Sequence, residues 1–529
     1  MELLLLLCAG VILLCMVANR FSNRFGMPAL LLFMALGMLF GSDGLLRISF
    51  DNYKVTERIC AVALTFIMFY GGFCTKWKMA RPVAGKAIAL SSMGTIVTAV
   101  FTGAFCHFVL HMAWTEGFLV GAVISSTDAA SVFSILRSKN LDLKNGTSSM
   151  LELESGSNDP TAYMLTMLAI MLIEGESMKT VGYMVFSQVV FGALIGLAVA
   201  VIGVLAFWKF SQFTDGVENI FVIALVLLAY ALPTLVNGNG YLSVYLMGIV
   251  LGNSKIRDKI VLVHFFDGIN GLAQIVIFFL LGLLSFPHKI PQIFLPTLLI
   301  ALFLTFVARP VAVFVLLLPA KCSIRQCLVV SMAGLRGAAS IVFAIMVIAD
   351  GVYVEYDLFH TVFLISLLSV AFQGSLLPWV AKKLDMVEPE SDVRKTFNDY
   401  QEDSSLSLMR LFIPKGHNWE NRTISEVSLP TDSLALMIKR GDETLIPRGD
   451  TKILANDSVI LSVPVYRDDS SEELEEIRLD KHHGWCGHCI EELALPDHIL
   501  IAMIKRGDEN IIPRGKTVLK ENDVVVLYH

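Results

Sequence analysis

Apolar windows recur along the chain from residue 2 to about residue 382, and most match the 17–25 residues a helix needs to cross a bilayer. About thirteen are drawn: 2–19, 27–41, 59–74, 84–110, 116–136, 152–174, 183–207, 218–235, 241–252, 262–286, 292–318, 326–349 and 358–381. The windows 27–41 and 241–252 are short, so the count stands to about one. Near residue 385 the pattern breaks off and a polar region begins. Window 2–19 lacks the basic start and the small-residue cleavage site of a signal peptide, so it reads as a true span.

Composition agrees with a membrane chain. Of 529 residues, 55% are hydrophobic and only 17% charged. Charge also orients the spans. With the loop between the first two windows placed inside, the inside loops carry 16 Lys and Arg residues and the outside loops 5. The excess predicts a cytoplasmic C-terminus and, for thirteen spans, an extracytoplasmic N-terminus. Seven of the nine cysteines lie in or beside the windows, where Cys acts as a small hydrophobe. The tail pair, Cys486 and Cys489, falls on the reducing side.

Residues 385–529 hold 28 acidic and 17 basic residues. The reading is therefore a membrane domain 1–384, a charged linker 385–405, and a soluble tail. The tail repeats itself: "LPTDSLALMIKRGDETLIPRGDTKILANDSVIL" (429–461) aligns without a gap to "LPDHILIAMIKRGDENIIPRGKTVLKENDVVVL" (495–527). The offset is 66 residues, and Trp419 and Trp485 keep it. The copies are placed at 406–464 and 472–529. Each reads as strand, Arg-Gly-Asp turn, strand, then a closing strand after Asn-Asp. Units this small rarely bury an adequate core alone, so the copies are expected to pair with each other or across a dimer.

A charge at bilayer depth costs about 2.5–3.5 kcal/mol on insertion scales and marks a functional candidate. "SSTDAAS" (125–131) places Asp128 inside a window among small residues, where the alternative is a buried structural Asp. "ESGSNDP" (154–160) puts Glu154 with Asn158, and Ser155 with Asp159, on shared helix faces, while Pro160 removes a backbone donor. Its alternative is a solvated helix start. "GLRGAAS" (334–340) holds Arg336 between glycines that suggest an interrupted helix. Arg336 needs a carboxylate, which Glu154 or Asp128 supplies. "VARPVAV" (307–313) holds Arg309 before Pro310 and reads as structural. Two acids with hydroxyl and amide neighbours form a hard oxygen site that takes a cation or a proton, the chemistry of exchange.

With these motifs the chain resembles the NhaP-type monovalent cation/proton antiporters over about residues 1–385. The marks are Thr127-Asp128, Glu154-Ser155-x-x-Asn158-Asp159, Gly-x-Arg-Gly at 334–337 and "QIVIFFLLGLL" at 274–284. The resemblance implies an α-helical fold of about thirteen spans with an inverted repeat, in which broken spans 5 and 12 cross at mid-membrane. A core bundle would hold spans 4–6 and 11–13, and the remaining spans would form a homodimer interface. Asp159 would carry the cation and proton, Asp128 would assist, and Thr127 and Ser155 would offer oxygens. Asn158 stands where electrogenic relatives place a second Asp, which implies electroneutral exchange. Glu154 and Arg336 would form a structural ion pair. Unlike some relatives, window 59–74 has no acidic ligand.

Each tail copy is similar to the RCK, or TrkA C-terminal, regulatory subdomain, a small α+β unit. The resemblance implies a small regulatory ligand, cyclic di-AMP among the options, and favours K⁺/H⁺ exchange, with Na⁺ open. It also implies residence in the cytoplasmic membrane. No GxGxxG occurs in the tail, so NAD or ATP is not expected, and the acidic balance excludes nucleic acid. "HHGWCGHC" (482–489) gives His483, Cys486 and Cys489 a spacing open to Zn²⁺. The first copy lacks these cysteines, which favours an incidental loop. The competing readings are a ligand-gated cation channel and an intramembrane enzyme. Neither a Gly-rich carbonyl filter nor a G-x-S-x-G or H-E-x-x-H motif appears.

Overall fold

The apolar windows become helices because a backbone in hydrocarbon must satisfy its own hydrogen bonds. The computed structural model describes the chain except residues 1, 26–28, 49, 140, 210–215, 255, 257–258, 389–405, 428, 430–432, 441–442, 465–473, 480–483, 494–499, 507–508, 512 and 529. It divides into two units, 1–401 and 402–529.

The first unit is helical. Its helices are α1 (Glu2–Phe25), α2 (Ala29–Phe40), α3 (Tyr53–Cys74), α4 (Ala84–Leu110), α5 (Trp114–Val123), α6 (Ala129–Ser138), α7 (Thr147–Ile173) and α8 (Met178–Lys209). They continue as α9 (Val217–Thr234), α10 (Gly240–Gly252), α11 (Lys259–Leu284), α12 (Pro287–Leu317), α13 (Ile324–Met332), α14 (Ala338–Ala349) and α15 (Leu358–Lys383). Among the described residues, α3, α4, α8, α9, α11, α12 and α15 are long and apolar enough to cross a membrane. Side chains cap several starts: Asn52, Ser177, Asn239, Ser323 and Asp357 each accept a bond from a first-turn amide of α3, α8, α10, α13 and α15.

Two windows that read as single spans are broken. Window 116–136 becomes α5 and α6, separated by a turn and the non-helical residues 126–128. Window 326–349 becomes α13 and α14, separated by the non-helical residues 334–337. The first break carries Ser125, Ser126 and Thr127, whose hydroxyls compete for backbone groups, and Ser125 Oγ donates to Ala122 O at 2.6 Å. The second break is made by close approach. A Cβ at Gly337 would strike the Asp128 carboxylate, and one at Gly334 would stand 2.8 Å from Arg309 Nε.

Three helices each carry a five-residue π segment: Leu90–Gly94 in α4, Leu304–Ala308 in α12 and Ser369–Gln373 in α15. A π-turn shifts the phase of the side chains that follow it. Arg309 comes directly after one such segment, and Ser369 and Gln373 begin and end another.

The second unit is two antiparallel sheets. Strands β1 (Leu406–Phe412), β2 (Leu434–Arg440), β3 (Glu443–Leu445) and β4 (Ser458–Pro464) are ordered β1-β4-β2-β3. Strands β5 (Leu474–Arg478), β6 (Leu500–Arg506), β7 (Glu509–Ile511) and β8 (Val524–Tyr528) are ordered β5-β8-β6-β7. The β2–β3 hairpin closes with Arg440 opposite Glu443, and the β6–β7 hairpin with Arg506 opposite Glu509. Both sheets carry the same irregularity, at Ala435/Met437 and at Ile501/Met503. Among the described residues each copy closes its own sheet. Each also has its own apolar cluster, with Ile438, Val459 and Leu461 in one and Ile504, Leu519 and Val525 in the other. A buried carboxylate ties each sheet. Arg440 donates two bonds to Asp457 at 2.9 and 2.7 Å, and Arg506 two to Asp523 at 2.8 and 2.7 Å. The Arg506 hydrogen bonds hold the Asp523 carboxyl below its ordinary range.

Candidate ion-binding site

The two helix breaks lie against each other and against the middle of α7. Asp128 N donates to Leu335 O at 2.8 Å, which joins one break to the other. Broken helices leave carbonyls without helical partners. Arg336 takes two of them: its Nη1 donates to Ser125 O and Ser126 O, each at 2.7 Å. The Arg336 amide is held by Ser369 Oγ at 3.1 Å, Ser369 donates to Gln373 Oε1 at 2.9 Å, and Gln373 Nε2 reaches Met332 O at 3.1 Å. The Arg336 side chain thus serves as the clasp of the crossing, backed by the π segment of α15.

α7 lays its polar face on the first break. Ser126 Oγ donates to Asp159 Oδ1. Asn158 Nδ2 donates to Thr127 Oγ1 at 2.5 Å, and Ser155 Oγ donates to Thr127 O at 2.5 Å. Asp128 Oδ2 accepts from Ser131 Oγ at 2.5 Å. Asp159, Asn158, Ser155 and Thr127 are all buried, with Asp159 6% exposed. Asn158 Oδ1 is buried and accepts no hydrogen bond among the described residues. A buried acceptor without a donor costs about 1–3 kcal/mol. An unpartnered amide oxygen is the donor type that suits a hard cation. The structure therefore brings together the expected Asp159, Asn158, Ser155 and Thr127, with Asp128 at the crossing beside them.

The expected ion pair between Glu154 and Arg336 is corrected. Glu154 is held by Arg309, with Nη1 to Oε1 and Nη2 to Oε2 both at 2.8 Å. Both side chains are almost wholly buried. The reason is geometric. The π segment at Leu304–Ala308 rephases α12, Gly334 leaves room for the Arg309 guanidinium, and Arg336 is engaged with carbonyls instead. Glu154 still lies within electrostatic reach of Arg336. Sequence reasoning placed Ser126 only among the small residues around Asp128 and gave no role to Ser369 and Gln373. Their only signal is polarity inside apolar runs.

Because Gly337 abuts Asp128, Gly337→Ala should push the two breaks apart. The expected cost is about 1–3 kcal/mol of stability, with slowed exchange. Thermal unfolding of purified protein and transport by proteoliposomes check it. Unchanged values in both would mean that the crossing tolerates the methyl group.

The weak metal candidate gains no support. His483 lies outside the described residues. Cys486 and Cys489 are free thiols, and among the described residues no three ligating side chains are grouped to hold a metal. Cys489 instead caps a short turn, its sulfur accepting from the Glu492 amide.

Comparison with known proteins gives the setting. Residues 10–383 match the transmembrane sodium/hydrogen exchanger family, and residues 408–465 and 474–528 each match the TrkA-C domain. The chain is 34% identical to the K(+)/H(+) antiporter NhaP of Alkalimonas amylolytica, covering 87% of this chain and 81% of that protein. It is 31% identical to the K(+)/H(+) antiporter NhaP2 of Shewanella baltica, covering 82% and 76%. The structure of the sodium proton antiporter MjNhaP1 from Methanocaldococcus jannaschii superposes with a TM-score of 0.63 at 23% identity. It covers 73% of this chain and 99% of that one, and shares its fold. The chain therefore belongs to the transmembrane sodium/hydrogen exchanger family, as an integral membrane antiporter with two TrkA-C domains in its tail.

Proposed function

We propose that the protein exchanges K⁺ for H⁺ across the cytoplasmic membrane, one for one, under control of its tail. The observation that carries this reading is the buried Asp159 carboxylate beside the free Asn158 oxygen, at the crossing of two broken helices. One carboxylate compensates one positive charge, so proton and cation exclude each other at Asp159. Asp128 assists, Thr127 and Ser155 complete the oxygen set, and the neutral Asn158 keeps the exchange electroneutral. Sodium is the alternative cargo, since it takes the same oxygens. The potassium preference rests on the tail type and on the two antiporters named for K⁺.

The architecture proposed with it is thirteen spans in an inverted repeat, with α5–α6 and α13–α14 each counting as one broken span. The breaks would lie at mid-membrane. The N-terminus would be extracytoplasmic and the tail cytoplasmic, as the loop charges favour. Residues 1–384 would be the transport domain, 385–405 the linker, and 406–464 and 472–529 the regulatory repeats. A homodimer is proposed, with a small ligand on the tail, cyclic di-AMP being one option.

The test is made in proteoliposomes with an acid interior and a pH dye. External K⁺ should collapse the gradient at a lower concentration than Na⁺ does. If Na⁺ alone acts, the cargo assignment falls. If neither acts, the antiporter assignment falls.

A further inference from the structure

The chain leaves the last helix toward the tail through residues 385–388, and these touch the loop between α6 and α7. After α15 the chain turns at Asp385, whose φ is 53°, and then runs extended. Leu143 and Val387 face each other as an antiparallel bridge. Lys144 N donates to Met386 O at 2.8 Å and Glu388 N donates to Asp142 O at 3.0 Å. Lys144 Nζ meets Asp385 Oδ1 at 2.9 Å. The Lys144 contact holds the Asp385 carboxyl below its ordinary range. Met386 is buried, 3% exposed, in the apolar cluster that contains Leu141, Leu143, Cys327 and Leu377.

The loop so held is the link between α6 and α7. α6 follows directly on Asp128, and α7 carries Asp159 twelve residues beyond its first residue, about 18 Å along the helix axis. The loop is stiffened on its other side too. Ser148 Oγ donates to Asp142 Oδ1 at 2.7 Å, and Thr147 Oγ1 donates to Lys144 O at 2.6 Å. Gln326 Nε2 of α13 donates to Thr147 Oγ1 at 3.0 Å. The same loop thus joins three parties: the first broken span, the second broken span, and the start of the helix that bears the carrier carboxylate.

We propose that residues 385–388 form a latch that positions the ion site and passes the state of the tail to it. This rests on the reading of the tail as regulatory. With the latch seated, the α6–α7 loop is pinned, and Ser126, Thr127, Asn158 and Asp159 keep their register. When the tail draws 385–388 away, the Met386 plug and both backbone bonds are lost together, and α6 and α7 are free to shift against each other. A helix transmits such a shift along its axis, because its backbone bonds make it stiff. Asp142, Leu143, Lys144, Asp385, Met386 and Val387 are positioning residues on this account, and none touches the cargo.

The experiment uses the full chain with Leu143→Cys and Val387→Cys and with a protease site built into 390–404. Leu143 and Val387 are a non-hydrogen-bonded antiparallel pair, where Cα atoms stand about 4.5 Å apart, within reach of a disulfide. Proton movement driven by K⁺ and by Na⁺ is followed in proteoliposomes before and after the tail is cut, in oxidised and in reduced protein. The single-cysteine variants serve as controls. In reduced protein, cutting should change the exchange rate by about fivefold. In oxidised protein, cutting should leave the rate unchanged. A change of equal size in both states overturns the latch while tail regulation stands. No change in either state overturns tail regulation and the latch with it. Failure of the pair to close under oxidant, read by mass spectrometry, overturns the strand pairing itself. If neither ion moves protons before any treatment, the antiporter assignment is what fails.

Discussion

Asp159→Asn is expected to reduce cation-driven proton movement to the level of protein-free liposomes, while the protein folds and inserts as before. The substitution is nearly isosteric, and the Asn oxygen still accepts from Ser126. What is lost is the only thing exchange requires of this position: a group that is neutral with a proton and negative without one. The neighbouring oxygens of Thr127, Ser155 and Asn158 bind no proton at working pH and so cannot replace it. Asp128→Asn is expected to weaken exchange rather than abolish it, because the Asp128 carboxylate is spent in part on Ser131 while its main-chain bond to Leu335 survives the substitution. The measurement is the dye assay, with thermal unfolding as the control for folding. Persistent exchange in Asp159→Asn would move the carrier role to Asp128 or away from this crossing.

Arg309→Met should be among the most destabilising substitutions in the membrane unit. Glu154 and Arg309 are buried together, and removing one partner strands the other's charge. Breaking such a pair costs about 3–5 kcal/mol. Replacing both, as Arg309→Met with Glu154→Gln, should recover most of that loss, since a buried pair is worth little against a neutral, well-packed substitute. Arg336→Met should behave differently. Its loss frees the carbonyls of Ser125 and Ser126 rather than a carboxylate, so Glu154→Gln should not rescue it. A double-mutant cycle on thermal unfolding distinguishes the two arginines. Rescue of Arg336→Met, with none of Arg309→Met, would reverse the pairing seen here.

Much of the site was legible because its signals are local. The motifs at 125–131, 154–160 and 334–340 stand out as charge and hydroxyl groups in apolar runs, and the energetic penalty for such placement is independent of fold. The helical period of α7 put Glu154 with Asn158 and Ser155 with Asp159, and the family resemblance added Thr127 to them. The partner of Glu154 was not legible. Two arginines compete for it, 27 residues apart in sequence, and each precedes or follows a residue that breaks helical regularity. The choice depends on a π-turn in α12 and on clearance at Gly334, and neither leaves a periodic trace in the sequence. The latch was hidden for a related reason. Residues 385–388 fall where the composition turns polar, so they read as linker, and their pairing with 142–144 spans more than 240 positions.

Hydrophobic window length, loop charge and the 66-residue repeat are properties of neighbouring residues, so the chain alone determined a membrane domain followed by a duplicated tail. The family motifs then pointed to exchange at Asp159. Contacts between distant segments are settled by packing, where a fraction of an ångström decides which of two charges fits. Only the tertiary structure therefore decided that Arg309 pairs with Glu154, that Arg336 clasps two carbonyls of a broken helix, and that Asn158, next in sequence to Asp159, keeps a buried oxygen unpartnered among the described residues.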